Sequence, residues 1–400
     1  MSAKVNLKTE TKARWRQKQG KAAGLLTLIA LLLVQIQLQA QFSETGFERI
    51  KIKGLENKIA GIDLSPNGKT LAISQSRSKP LILWDHETRQ VTGELNAGQW
   101  WSGSRVNHSS TGKYLLLQQL MYVDFSKNKN RELPVQLIDV GTGEQILAFD
   151  KCQDLIVTND EKYAIALIAN EVGFYSLPSG KKEKSFMVEG LTNAVAESPD
   201  GKMIAISRKV ALNDLSEQAR SRKNKKSLKF TLNYKEVVSI YDAETFKPVF
   251  TVGEFYDKVY RLKFSPDRQS LFCLQIPPAK ARTVADPMVY VNIVEAPSGQ
   301  PLRKAFTAQA VYEPAFEISH NGKMAALATK GSKFQEINLF DLESGQILKR
   351  FELGHRLFEK DEEGLKVTDS SFPSMVFLPD DEAMLISLSN HLILWNLNSK

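Results

Sequence analysis

Ile62-Asp63-Leu64-Ser65-Pro66-Asn67-Gly68-Lys69-Thr70-Leu71-Ala72-Ile73-Ser74 spells a strand, a tight turn and a second strand in order. Pro66 fixes φ, Asn67 offers a side-chain acceptor and Gly68 tolerates the left-handed conformation, so the chain reverses there as a hairpin. A third strand, Leu81-Ile82-Leu83-Trp84-Asp85, follows with period-two alternation that turns one face inward.

The same unit returns along the chain. Second and third turns stand at Ser109-Ser110-Thr111-Gly112-Lys113 and, in worn form, Thr158-Asn159-Asp160-Glu161-Lys162. Further turns follow at Ser198-Pro199-Asp200-Gly201-Lys202, Ser265-Pro266-Asp267-Arg268, Ser319-His320-Asn321-Gly322-Lys323 and Leu378-Pro379-Asp380-Asp381. The matching third strands include Val135–Asp139, Val238–Asp242, Ile337–Asp341 and Leu392–Asn396. Glycines at 143, 180, 299 and 345 open a fourth, outer strand in four copies. Each unit is therefore expected to be a four-stranded antiparallel sheet, and sheets of this kind must stack to bury both faces. With no long helical stretch after the leader, the fold class expected is all-β, a single seven-bladed β-propeller over residues 41–400. Copy seven stops short of an outer strand, while Phe47-Glu48-Arg49-Ile50-Lys51-Ile52-Lys53 precedes copy one with no partner. Segment 47–53 is expected to complete the seventh blade and close the ring.

These repeats resemble WD40-like propeller units. Trp84-Asp85 and Trp395-Asn396 are the closest to the naming dipeptide, and Gly354-His355 is similar to the Gly-His before a first strand. The looser YVTN type of bacterial envelope propeller looks equally near. Most copies lack Gly-His, so the His–Ser–Trp hydrogen-bond network of WD40 proteins is not expected.

The chain has 400 residues, 42% hydrophobic and 24% charged, which is globular composition. Its net charge of +8 is uneven: residues 1–40 hold seven Lys or Arg against one Glu, leaving only +2 for the rest. That near-neutral body argues against nucleic acid as a partner. The basic start precedes the thirteen-residue run Ala22–Val34, which suits a secretory h-region. Residues 1–40 are read as a signal peptide or an uncleaved signal anchor. Either places the remainder across the membrane, in the periplasm, envelope or medium. Membrane contact is expected only through residues 22–38 if the leader is retained. Cys152 and Cys273 fall in different copies and read as packed hydrophobes, not a disulfide.

Catalytic signatures are sparse. Gly68-Lys69-Thr70 sits in a hairpin, not before a helix, and Asp63 stands where a phosphate-binding loop needs Gly. His86, His108, His320, His355 and His391 are scattered in sequence, and no metal or cofactor is expected. Asp63, Glu197, Glu317 and Asp369 lie on or just before inner strands, which converge at a propeller axis. They are the acids that would serve a lactonase-like or glycan-acting enzyme. Two surface features suit partner binding. One is the loop pair Trp100-Trp101. The other is an insertion at about 208–235 carrying Arg220, Arg222, Lys223, Lys225, Lys226 and Lys229, six cations in ten residues. With two other insertions, at 118–134 and 276–288, it enlarges one rim. The sequence favours a non-catalytic exported scaffold for a protein or glycan of the cell envelope, acting as a monomer or within a larger complex. The alternative is a propeller enzyme with its site over the central channel.

Overall fold

The computed structural model describes residues 46–398 except 77–79, 99–103, 120–133, 221–224, 277–287, 310–314, 331–334, 354–357, 362–363 and 368–372. The leader at 1–40, Trp100, Trp101, Arg222, Lys223, His355 and Asp369 lie outside the described residues.

Seven four-stranded sheets form the body, with one two-stranded hairpin, among the described residues. The inner strands, in blade order, are Ile59–Leu64, Ser104–His108, Asp154–Val157, Thr192–Glu197, Lys258–Phe264, Phe316–Ile318 and Met375–Phe377. In blades one to six, four consecutive antiparallel strands run outward from the axis. The seventh blade takes its outermost strand from the other end of the chain: Phe47–Lys51 pairs antiparallel with His391–Asn396, Phe47 opposite Trp395 and Ile50 opposite Leu392. Ile50 and Ile52 are buried against Leu385 and Leu392, while Arg49 and Lys51 stay exposed, as an amphipathic outer strand requires.

Packing between blades follows one rule. Seven apolar clusters lie between seven successive pairs of blades, from Ala72, Leu81 and Leu115 between blades one and two round to Ile62, Trp84 and Leu392 between one and seven. Each sheet thus buries one face on each neighbour, and no blade owns a core of its own. Trp84 and Trp395 are each 1% exposed and belong to this packing. Truncating a tryptophan so placed costs ~3–5 kcal/mol.

The turns repeat at atomic detail. In blade one, the Thr70 N–H donates to Ser65 Oγ (2.9 Å), and Ser65 Oγ to Asn67 Oδ1 (2.7 Å). Blade four repeats this with Met203, Ser198 and Asp200, and blade six with Met324, Ser319 and Asn321. The worn third copy keeps it too: Tyr163 N–H donates to Thr158 Oγ1 (3.1 Å), and that hydroxyl to Asp160 Oδ1 (2.8 Å).

Short helices that the sequence reading did not identify stand in the fourth blade's insertion. Between strands Met203–Lys209 and Glu236–Asp242 the chain forms Glu217–Arg220 and the ten-residue helix Lys225–Tyr234. Leu228 and Leu232 are four residues apart, so one helical face packs against Ala219, Leu215, Val210 and Val237. Arg208 and Asp214, largely buried, brace the base of the insert through a bidentate pair at 2.7 Å. The hairpin Phe358–Asp361 with Gly364–Val367, between blades six and seven, was not anticipated either.

Candidate functional site

Successive inner-strand residues point to opposite faces of the sheet, each toward a neighbouring blade, and those nearest the centre also border the central channel. Five blades contribute to a cavity there of about 690 Å³, lined among others by Arg105, Asn107, His108, Asn159, Glu197 and Lys263. Pro66, Ser109 and Pro199 also line it, so it opens on the rim formed by the strand-one-to-two turns. In an antiparallel four-stranded sheet the insertions between strands two and three belong to the opposite rim.

Of the four acids expected at the axis, Glu197 lines the cavity and Asp63 meets it through His108, which does. The backbone N–H of His108 donates to Asp63 Oδ2 at 2.6 Å, and His108 Nδ1 lies 2.9 Å from the same oxygen. Glu197 Oε2 accepts the Asn159 N–H of the preceding blade at 2.6 Å. Burial pushes the Glu197 carboxyl up to about 7, and the Asn159 N–H only partly offsets it. Glu317 is shifted upward as well, first by burial; Lys263 opposes the shift and Asp63 adds to it. Asp369 lies outside the described residues.

Three cations share the axis. Sequence reasoning sought acids and histidines there and passed over them, although Arg105, Arg261 and Lys263 all lie on inner strands at alternating positions. Arg105 Nη2 donates to Asp154 Oδ1 (2.7 Å) and to the Leu155 carbonyl (3.0 Å). Asp154 also accepts the N–H groups of Leu155 and, from blade four, Val195. Burial pulls the Arg105 pKa down; Asp154 resists this and the Arg261 charge reinforces it. The Arg261 guanidinium stacks on Tyr260, 4.9 Å from its ring centre. Lys263 Nζ reaches the Ile318 carbonyl at 3.3 Å.

The remaining sequence candidates are elsewhere. Lys225, Lys226 and Lys229 are exposed on the insert helix, and Arg220 is pinned by its Nε donating to the Leu215 carbonyl at 2.8 Å. Two of the histidines scattered in sequence meet a carboxylate in space, His108 with Asp63 and His320 with Asp381. His86 stands in the turn after blade one's third strand, and His391 begins the third strand of blade seven. Cys152 and Cys273 are free and buried in separate blades, and burial raises the Cys152 thiol to about 12.

No protein-family model matches the chain, and no curated protein matches its sequence. Solved structures do match in fold. The β-propeller domain of Myceliophteria thermophila Cps50 (Swd1) superposes with a TM-score of 0.59 at 12% identity, covering 88% of this chain and 99% of that one. Kuenenia stuttgartiensis hydrazine synthase gives 0.55 at 16% identity, covering 86% and 98% respectively. At these identities the likeness is one of fold alone.

Proposed function

We propose that this protein is an exported, non-catalytic, WD40-like or YVTN-type propeller that binds a protein or glycan of the cell envelope. One observation carries the binding role: Asp63, Asp154 and Glu197, the acids on the inner strands around the cavity, each accept an N–H from a neighbouring blade. Acids used that way build a rigid, polar-walled channel mouth, and a rigid mouth suits recognition. Export rests on the basic and apolar leader. Lys225, Lys226 and Lys229 of the fourth-blade insert supply a second contact region, to which the sequence adds Trp100 and Trp101.

The test is affinity capture from envelope extracts with the full chain, alongside a variant carrying Lys225→Gln, Lys226→Gln and Lys229→Gln. Fractionation of cells follows the chain's location. Recovery of one reproducible envelope partner supports the reading; cytoplasmic residence of the mature chain overturns the envelope assignment. A second reading has one observation in its favour, the Glu197 carboxyl near 7, which is where a general acid works best. Turnover of a lactone or glycan by the wild type, lost in Glu197→Gln, would establish that reading in place of the first.

A further inference from the structure

We infer that the axial cavity takes its ligand by an oxyanion group, carboxylate or phosphate, held between Arg105 and the Arg261–Lys263 pair across the channel. This rests on the binding role proposed above and names the chemistry of the ligand. Arg261 and Lys263 are two residues apart on the inner strand Lys258–Phe264 and so share one face of the sheet. Lys263 lines the cavity, as does Arg105 from the second blade.

Donors outnumber acceptors here. Arg105 spends Nη2 on Asp154 and Leu155, but its Nε is buried with no hydrogen-bond partner. Its side chain is 15% exposed, so solvent does little for that edge. Arg261 makes no hydrogen bond or ion pair among the described residues; it contacts Tyr260, and its charge acts on Glu317 and Arg105. Lys263 Nζ has one long bond to a carbonyl. The acids do not balance them. Asp154 is filled by Arg105, Leu155 and Val195, and Asp63 by His108. Burial raises the Glu197 and Glu317 carboxyls, while Lys263, Arg261 and Arg105 oppose that rise at Glu317. A guanidinium donor that is buried and unpaired is costly to leave unmet. An oxyanion would take a charge-assisted hydrogen bond from Arg105 Nη1, which makes none among the described residues, and a second cation from the opposite blade adds charge without a new geometric demand. A carboxylated sugar and a phosphorylated one offer the same group in different settings.

The experiment is calorimetric titration of the full chain with three probes: trigalacturonic acid, glucose 1-phosphate and uncharged maltotriose. At least one charged probe is expected to bind at least tenfold more tightly than maltotriose, and to weaken as salt rises. Arg261→Gln, which breaks no described bond, is expected to weaken that probe at least tenfold with an unchanged melting temperature. Lys263→Gln provides an independent check through a side chain that is exposed and tolerant. Which charged probe binds identifies carboxylate or phosphate as the source. The inference fails if neither charged probe binds, if maltotriose binds as well as they do, or if both variants retain affinity within twofold. Maltotriose binding alone would leave the scaffold reading standing. Turnover of a charged probe would remove the scaffold reading and keep the anion site.

Discussion

The turns of blades one, two and six and those of blades three and seven solve the same problem in opposite ways. In the first group the left-handed position is glycine, and it lies against the proline of the preceding blade's turn. A Cβ on Gly68 would sit 2.6 Å from Pro379 Cγ, and Gly322 packs on Pro266 in the same manner. In the second group the position holds a carboxylate in the same strained backbone, Glu161 at φ 54° and Asp381 at φ 58°. Each follows a turn that lacks proline. Glu161 accepts the Thr111 N–H at 2.8 Å, and Asp381 accepts those of His320 (2.8 Å) and Asn321 (2.9 Å). Proline has no N–H to satisfy, so the next blade can bring its backbone close; any other residue there exposes a donor that the next blade must meet. Blade four follows a proline-free turn but keeps Gly201, and Glu197 supplies the missing acceptor to Asn159. Blade five breaks the pattern: Arg268, at φ 63°, reaches Asp200 of the preceding turn across an exposed pair.

Four substitutions test this contrast. Asp381→Ala strips acceptors from two N–H groups beneath an 8%-exposed side chain and is expected to cost ~3 kcal/mol in urea unfolding. Gly68→Ala, strained at φ +73° and pressed on Pro379, is expected to cost ~2 kcal/mol. If it were neutral, the proline–glycine contact would have no role. Glu197→Gln acts through pH. The folded carboxyl holds its proton to about 7, above the ordinary 4.5, so native stability falls as pH rises between those values and the loss is complete above them. The variant is expected to gain ~1 kcal/mol over wild type at pH 8, discounted for its partial exposure, and nothing at pH 4. Arg268→Gly exchanges an exposed ion pair for relief of left-handed strain, and its unfolding free energy should change by less than ~0.5 kcal/mol. A larger loss there than in Asp381→Ala would reverse the ranking of the two kinds of turn.

Most of the ring was legible because its marks are local. Ser65, Pro66, Asn67 and Gly68 specify a turn wherever they occur together, and Ile50 and Ile52 alternate with charge as an outer strand must. The third copy looked degenerate only because glycine was taken as its signature; the Thr158–Asp160 pair carries the turn without it. The helix Lys225–Tyr234 was hidden by its charge, since Leu228 and Leu232 have meaning only once Val210 and Val237 stand beneath them. The axial cations were missed for a similar reason. Arg105 and Lys263 lie far apart in sequence, and they share one cavity only after the two intervening sheets have been stacked.

The union of Phe47–Lys51 with His391–Asn396 orders events during synthesis. The first strand to emerge is among the last to find its partner, a contact spanning nearly the whole length and slow for that reason. Until then a nascent chain carries an unzipped seam, with bare hydrogen-bonding groups on both lips. Vulnerability to swapping this strand with another copy follows from the position of this one short ribbon.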